Sequence, residues 1–295
     1  MSHLVVVDGH AVAHRAYHSI PPLTHNGQPV NALYGFYSIL LSAVDTLKPN
    51  YLVVCLDSPG PTFRQSEYLA YRARRQPTEH NLVIQLPQIP LTLEKAHIPS
   101  ISLGGYEADD LIASLIVQHR DQIDHSTIIT GDQDLMQLVD DQTNLFMPAS
   151  RGLLEAKIIG PAEVKEKLGV APVQVIDLKA LMGDLSDNYP GVPGIGPKAA
   201  VNLLKQFNSL DEVYSNIDKI QPSLAGRLIS YKDSAYLSKK LATLVNNIPL
   251  NFDLNTAEFT NDTIAGLLDL FKQYNFKSLL NRLKKNKKVE KLSLF

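Results

Sequence analysis

The chain has 295 residues, of which 44% are hydrophobic and 20% charged, with a formal net charge of -2. That balance supports a sizeable core and excludes disorder as a class, and no run approaches the ~20 apolar residues of a membrane span. A single cysteine, Cys55, excludes an internal disulfide and a thiolate zinc site and fits a reducing cytosol.

The net charge hides a strong segregation. Residues 104–141 carry nine Asp and Glu against Arg120 alone, a local charge of -8. Residues 58–75 carry four arginines against Glu67, and residues 277–295 carry seven Lys and Arg against Glu290. Concentrated acid flanked by concentrated base suits a metal-dependent enzyme acting on a polyanion, although any one such run is ordinarily a solvated face.

In chain order, the first element is a short apolar run at 4–7, closed by Asp8. No charged segment precedes it, so a secretory signal is not expected. His10, His14 and His18 follow at i, i+4, i+8 spacing, which reads as one face of a surface helix sooner than as a metal cluster. Leu33, Phe36, Tyr37, Leu40, Leu41, Val44 and Leu47 mark an amphipathic helix that Lys48-Pro49 stops. A second β-branched run at 51–56 ends at Asp57, and a third at 126–130 ends two residues before Asp132. Strands alternating with helices predict a parallel sheet covered on both faces. Ligands of such sheets bind beyond the carboxyl ends of the strands, so Asp8, Asp57 and Asp132 point into one crevice.

Further acids adjoin that crevice. Glu107, Asp109 and Asp110 open the helix of GYEADDLIASL, Asp132 and Asp134 sit in the turn TGDQDL, and Asp184 and Asp187 sit in the loop MGDLSDN. Any one of these is adequately explained as a helix cap. Together they would repel one another strongly without cations. All-oxygen ligation with no paired Cys or His favours Mg²⁺, with Mn²⁺ as a substitute. Two such ions about 4 Å apart suit phosphodiester hydrolysis.

Beyond about residue 161 strand signals give way to successive helices. PGVPGIGPK, residues 190–198, joins a helix over 173–182 to one over 199–207. Gly191, Gly194 and Gly196 permit close backbone approach, and Lys198 adds a cation where the second helix offers free N–H groups. A backbone phosphate fits that end; a tight interhelical turn is the plain alternative. Two helical stripes, Ile264, Leu267, Leu268, Phe271 and Phe276, Leu279, Leu280, Leu283, precede a basic tail from Lys284.

Taken together, VVDGHAVAHRAY, LDSPGPTFRQSEYLAYRARR, GYEADDLIASL, TGDQDLMQLV, MGDLSDNYPGVPGIGPKAA and YNFKSLLNRL resemble successive blocks of the bacterial 5′→3′ exonuclease/flap endonuclease family. That family includes the N-terminal nuclease domain of DNA polymerase I. The resemblance runs in order over residues 4–283. It implies a PIN-like α/β core with a parallel twisted sheet over 1–160, a helical arch at about 62–95, and a helical DNA-binding region over 161–283. By the same resemblance Asp8, Asp57, Glu107 and Asp109 surround one metal and Asp132, Asp134, Asp184 and Asp187 the other, with Asp109 or Asp110 between them. Arg15, Arg64, Arg72 and Arg75 match basic positions that engage the scissile region. Gly191, Gly194, Ile195, Gly196 and Lys198 match a helix–three-turn–helix element that grips duplex DNA and binds K⁺ in some relatives.

Two departures stand out. The arch motif commonly reads YK..R, where this chain has Tyr71-Arg72-Ala73-Arg74-Arg75, and His14 replaces an aromatic of the first block. The resemblance implies DNA with a 5′ flap, nick or RNA primer as substrate, in a monomeric protein of the bacterial cytoplasm working at the nucleoid. The last five residues, Lys291 to Phe295, resemble a sliding-clamp-binding pentapeptide with Lys where Gln is usual, so Leu292–Phe295 is a candidate clamp contact. The competing readings are a DNA-junction-binding protein without catalysis and a PIN-type ribonuclease.

Overall fold

A computed structural model describes residues 2–149 and 155–292. Strand β1 (His3–Asp8) leads into helix α1 (Gly9–Ser19), then a small hairpin of β2 (Thr24–His25) and β3 (Gln28–Pro29), and the long helix α2 (Asn31–Leu47). Next come β4 (Tyr51–Cys55), three short helices α3 (Phe63–Glu67), α4 (His80–Val83) and α5 (Gln88–Lys95), then β5 (Ser100–Ile101) and α6 (Ala108–His119). Strands β6 (His125–Ile129), β7 (Thr143–Met147) and β8 (Lys157–Ile159) complete the sheet. The remainder is helical: α7 (Pro161–Leu168), α8 (Val175–Met182), α9 (Pro197–Phe207), α10 (Leu210–Ser215), α11 (Pro222–Ser230), α12 (Lys232–Ala242), α13 (Asn261–Gln273) and α14 (Lys277–Leu292).

The six-stranded sheet has the order β5-β4-β1-β6-β7-β8. All neighbouring pairs are parallel except the last, in which Leu145, Phe146 and Met147 face Ile159, Ile158 and Lys157 in antiparallel register. The expectation of a parallel sheet therefore holds for five strands, and β8 adds an antiparallel edge. Strand periodicity sorts the apolar side chains between two cores. Leu4, Val6 and Val53 pack on one face with Leu111, Leu115 and the helices of the C-terminal half. Val5, Val7 and Val54 pack on the other with Phe36, Leu40, Ile89 and Leu93. Helices α1 and α2 cross closely because Gly35 has no side chain: a Cβ there would lie 2.8 Å from that of Ala16.

The packing adds detail to the expected domain layout. Within the segment expected as an arch over 62–95, Ile89 and Leu93 of α5 are fully buried in the core that also holds α2 and α13. Within 161–283 the helices divide between the two cores. Phe271, Phe276, Leu279 and Leu283 of α13 and α14 return to the α2 side of the sheet, where Arg282 holds Asp45 at 2.7 Å. Each of these helices carries a single apolar stripe and buries that face against the sheet. Residues 293–295 lie outside the described residues, so the clamp-like motif is not described. Among the described residues no helix is long and apolar enough to cross a membrane.

Candidate active site

The parallel strands deliver acids to one edge. Asp8 ends β1 and caps α1, accepting hydrogen bonds from the Ala11 N–H at 3.0 Å and Thr130 Oγ1 at 2.8 Å. Asp57 follows β4; its carboxylate accepts the Ala108 N–H at 2.8 Å, and its own N–H donates to His10 Nδ1 at 3.1 Å. Beyond β6, the Asp132 N–H donates to Thr130 Oγ1 and the Asp134 N–H to Asp132 Oδ1, both at 2.9 Å. Glu107 caps α6 and is 4% exposed. The loop after α8 is closed by paired backbone bonds between Asp184 and Tyr189, which bring Asp184 and Asp187 to the same crevice.

Cations thread these acids. Lys179 of α8 bridges Asp134 and Asp184, the latter at 2.7 Å. Arg72 reaches Glu107 at 3.0 Å and Asp187 at 3.1 Å, and Arg75 reaches Asp187 at 2.6 Å. Arg72 holds a left-handed backbone (φ 57°) that arginine rarely adopts, fixed by its N–H donating to the Asp187 carbonyl. The Tyr71 hydroxyl donates to Asp187 at 3.0 Å and Glu107 at 3.2 Å. Arg15 borders the same crevice, with its guanidinium on the carbonyls of Pro148 and Ala149. A cleft of about 540 Å³ extends from Asp132, Asp134 and Asp184 along an apolar wall of Leu168, Val175, Leu178 and Met182.

Two predicted site residues are sealed beneath the crevice, against Glu107. Arg64 is 1% exposed and Asp110 0%, and they form a bidentate pair at 2.7 and 2.8 Å. Arg64 also donates to the carbonyls of Leu241 and Thr243, and Asp110 accepts the Val245 N–H. Arg64, expected at the scissile region, and Asp110, expected at the metals, thus join α3 and α6 to the chain after α12, with Arg64 also 3.4 Å from Glu107. Ile195 is likewise buried in the core, so it anchors the glycine loop instead of facing a ligand. Gly191 and Gly194 have positive φ. A Cβ on Gly191 would lie 2.1 Å from the Gly183 nitrogen, and the Gly194 carbonyl accepts from Arg227 at 3.1 Å. Gly194, Gly196 and Lys198 are exposed at the start of α9. Lys179 and Tyr71 were not among the predicted site residues. A lysine amid the apolar run VIDLKALM was the available signal for the first.

The electrostatics record crowding. Burial, with Asp132 and Asp57 adding repulsion against two hydrogen bonds, pushes Asp8 up to about 7. Burial pushes Asp134 to about 7 as well, against the pull of Lys179. Asp109 is raised well above the carboxylate range by burial and by Asp8, Asp132 and Asp134. Asp184 behaves oppositely: burial would raise it, but Lys179 and the Ser186 hydroxyl outweigh that and hold it near 2. Arg72 and Arg75 outweigh burial at Asp187 in the same way.

A linkage prediction follows. Asp8 and Asp134 hold extra protons in the folded chain between the unfolded carboxylate value, about 3.9, and about 7. Stability therefore falls as pH rises through that window, whereas Asp184 and Asp187 stabilise above about pH 4 and lose this on acidification. Melting in chelator is expected to drop by roughly 5 °C from pH 5 to 8, and millimolar Mn²⁺ to restore it. A flat profile in chelator would contradict the crowding.

Among the described residues no three His, Cys, Asp or Glu side chains converge as a ready cage for a metal ion. An all-carboxylate donor set with surplus buried negative charge nevertheless fits a hard cation such as Mg²⁺, which keeps several waters and needs only one or two carboxylates directly. The histidines of α1 join no such cage.

The chain matches two family models, "5'-3' exonuclease, N-terminal resolvase-like domain" over residues 3–169 and "5'-3' exonuclease, C-terminal SAM fold" over 170–265. DNA polymerase I of Caldicellulosiruptor bescii is 42% identical over 285 residues, covering 95% of this chain and 33% of the relative. The chain thus spans about a third of that relative's length. Among solved structures, T5 5′-exonuclease with bound zinc aligns with TM-score 0.67 at 23% identity over 95% of this chain and 99% of the other. A complex of T5 D15 flap endonuclease with DNA and metal ions aligns with TM-score 0.65 at 22% identity, covering 96% and 99%. At these identities the structural likeness establishes the fold.

Proposed function

Because the chain belongs to the 5′–3′ exonuclease family, we infer that it is a divalent-metal-dependent, structure-specific 5′ nuclease. It hydrolyses phosphodiesters at 5′ flaps, nicks and RNA primers. The observation that carries this reading is the gathering of Asp8, Asp57, Asp109, Asp132, Asp134, Asp184 and Asp187 around one crevice at the carboxyl edge of the sheet, close enough to shift one another's protonation though not closed into a cage, with Arg72 and Arg75 beside them. Mg²⁺ is the proposed cation; when bound it supplies a nucleophile at neutral pH and neutralises charge on the leaving oxygen.

The protein's own groups do the rest. Asp8, Asp57, Glu107 and Asp109 form one side of the cation site, and Asp132, Asp134, Asp184 and Asp187 the other. Tyr71 keeps the Glu107 and Asp187 carboxylates in place by sharing its one hydroxyl proton between them. Arg72, Arg75 and Arg15 present guanidiniums to the scissile phosphate and its neighbours. On the C-terminal side the first turn of α9, opened by Gly196 and Pro197, takes a backbone phosphate of the flanking duplex with Lys198. We assign no K⁺ to this loop, since Arg227 already covers the Gly194 carbonyl. A labelled 5′-flap duplex tests the reading. Release of the flap near the junction is expected with Mg²⁺, none in chelator, and none from a 3′-flap control. Tight junction binding without cleavage in Mg²⁺ or Mn²⁺ would favour the non-catalytic reading.

Lys198→Ala is expected to weaken flap-DNA binding and to lower the slope of log affinity against log salt by about one, as for one lost phosphate contact. An unchanged slope in a salt titration would remove Lys198 from the interface.

A further inference from the structure

Ser234 and Ser238 lie one turn apart on α12 and grip a single residue of the glycine loop. The Ser238 hydroxyl accepts the Gly191 N–H at 2.9 Å, and the Ser234 hydroxyl donates to the Gly191 carbonyl at 2.6 Å. Ser238 is fully buried and Ser234 half-buried. A serine inside a helix commonly points to solvent or turns its proton back on the carbonyl four residues earlier. Ser230 does the latter, to Gly226 at 2.8 Å; Ser234 spends its proton on another segment. Both backbone groups of Gly191 are thus held from one helix face, and the Leu181 carbonyl of α8 takes the Val192 N–H at 2.8 Å. The inner side of the loop is fixed, while Gly194, Gly196 and Lys198 stay exposed.

The other end of α12 is fastened beneath the crevice. Arg64 donates to the carbonyls of Leu241 and Thr243 at 2.8 and 3.1 Å, and it pairs with Asp110. Asp110 in turn accepts the Glu107 N–H at 3.2 Å, at the turn that opens α6. From Ser234 to Ala242 the helix is about 12 Å long at 1.5 Å per residue. One short helix therefore connects the glycine loop to the residues under the acids.

We propose that Ser234 and Ser238 are positioning residues for the duplex contact. By fixing Gly191 on α12 they hold the first turn of α9 at a set distance from the acids, and so select which phosphodiester is cut. The proposal rests on the nuclease reading and adds two residues outside its acidic and basic sets. A purely structural pair predicts something else: deleting it would lower the melting temperature and leave the affinity and cut position of the folded protein alone.

The test is Ser234→Ala/Ser238→Ala in the full chain, on a labelled 5′-flap duplex. Product lengths are read at single-nucleotide resolution in Mg²⁺, and DNA binding is measured in Ca²⁺. Binding is expected to weaken about tenfold, the scale of one lost hydrogen bond. The cut is expected to spread over neighbouring phosphodiesters where the wild type gives one dominant product, with Mn²⁺ affinity in the absence of DNA unchanged. Ser234→Ala alone keeps the buried Ser238 bond and should show the same spread in smaller measure, should the double variant fail to fold. Ser234→Thr retains the hydroxyl and should cut as the wild type does. Ser126→Ala breaks a buried hydroxyl pair with Thr143 on the sheet, and should lower the melting temperature without moving the cut. Wild-type affinity and a single product from the folded serine variants would overturn the proposal, as would the same spread from Ser126→Ala. Either result leaves the nuclease reading standing, whereas a wild-type chain that cleaves no flap sinks both.

Discussion

Asp8→Asn is expected to lower flap cleavage by about a thousandfold or more while raising the melting temperature in chelator. The two effects have one cause. Asp8 is 4% exposed and is pushed up to about 7 by burial and by neighbouring acids, so at neutral pH its charge is held in an unfavourable place. Asparagine keeps the oxygen that accepts from the Ala11 N–H, and hence the α1 cap. It removes the charge that a cation needs, and the loss of one preorganised electrostatic group typically costs about 10²–10³ in rate. Loss of a cation from the site costs more. Cleavage rate and melting should therefore move in opposite directions. A variant that is both slow and unstable in chelator would mean that Asp8 is a structural cap only.

Arg64→Leu is expected to destabilise the fold by about 3–5 kcal/mol, the usual cost of leaving one partner of a buried pair uncompensated. Asp110 would lose both guanidinium bonds at 0% exposure, and the carbonyls of Leu241 and Thr243 would lose their donor. Urea denaturation measures this directly. Asp110→Leu in the same chain should recover part of the loss, because the buried Asp110 charge is then gone and only Glu107 has lost its Arg64 partner. If Arg64→Leu instead leaves the unfolding midpoint unchanged and slows cleavage, Arg64 acts on substrate, as the family resemblance implies, and not as a buried strut.

The acids at the ends of β1, β4 and β6 were legible because each follows a short β-branched run, and a parallel sheet puts all three ends on one side. The flanking strands were not. In β7, TNLFM has one β-branched residue and follows two acids, so neither alternation nor composition marks it. Strand β8 has only three residues, and two of them are exposed. Short edge strands form because a neighbour offers hydrogen bonds, which no local pattern announces.

The fate of individual charges was harder still. Arg64 and Arg72 sit eight residues apart in one basic run, yet one is sealed against Asp110 and the other spans Glu107 and Asp187. Nothing local distinguishes them. The difference lies in which partner the fold supplies, 46 residues on for Arg64 and 115 for Arg72. The same holds for Lys179, whose helix reads as apolar until Asp134 and Asp184 are brought to it.

The most direct test of the central claim is flap release from a labelled duplex by Asp132→Ala/Asp134→Ala beside the wild-type chain, in Mg²⁺, Mn²⁺ and chelator, with DNA binding measured in Ca²⁺. The account predicts metal-dependent cleavage near the junction by the wild type, no cleavage by the double variant in either metal, and DNA binding by both. Cleavage by the double variant at the wild-type rate would contradict it, since the acids at the sheet edge would then not be the site of the chemistry.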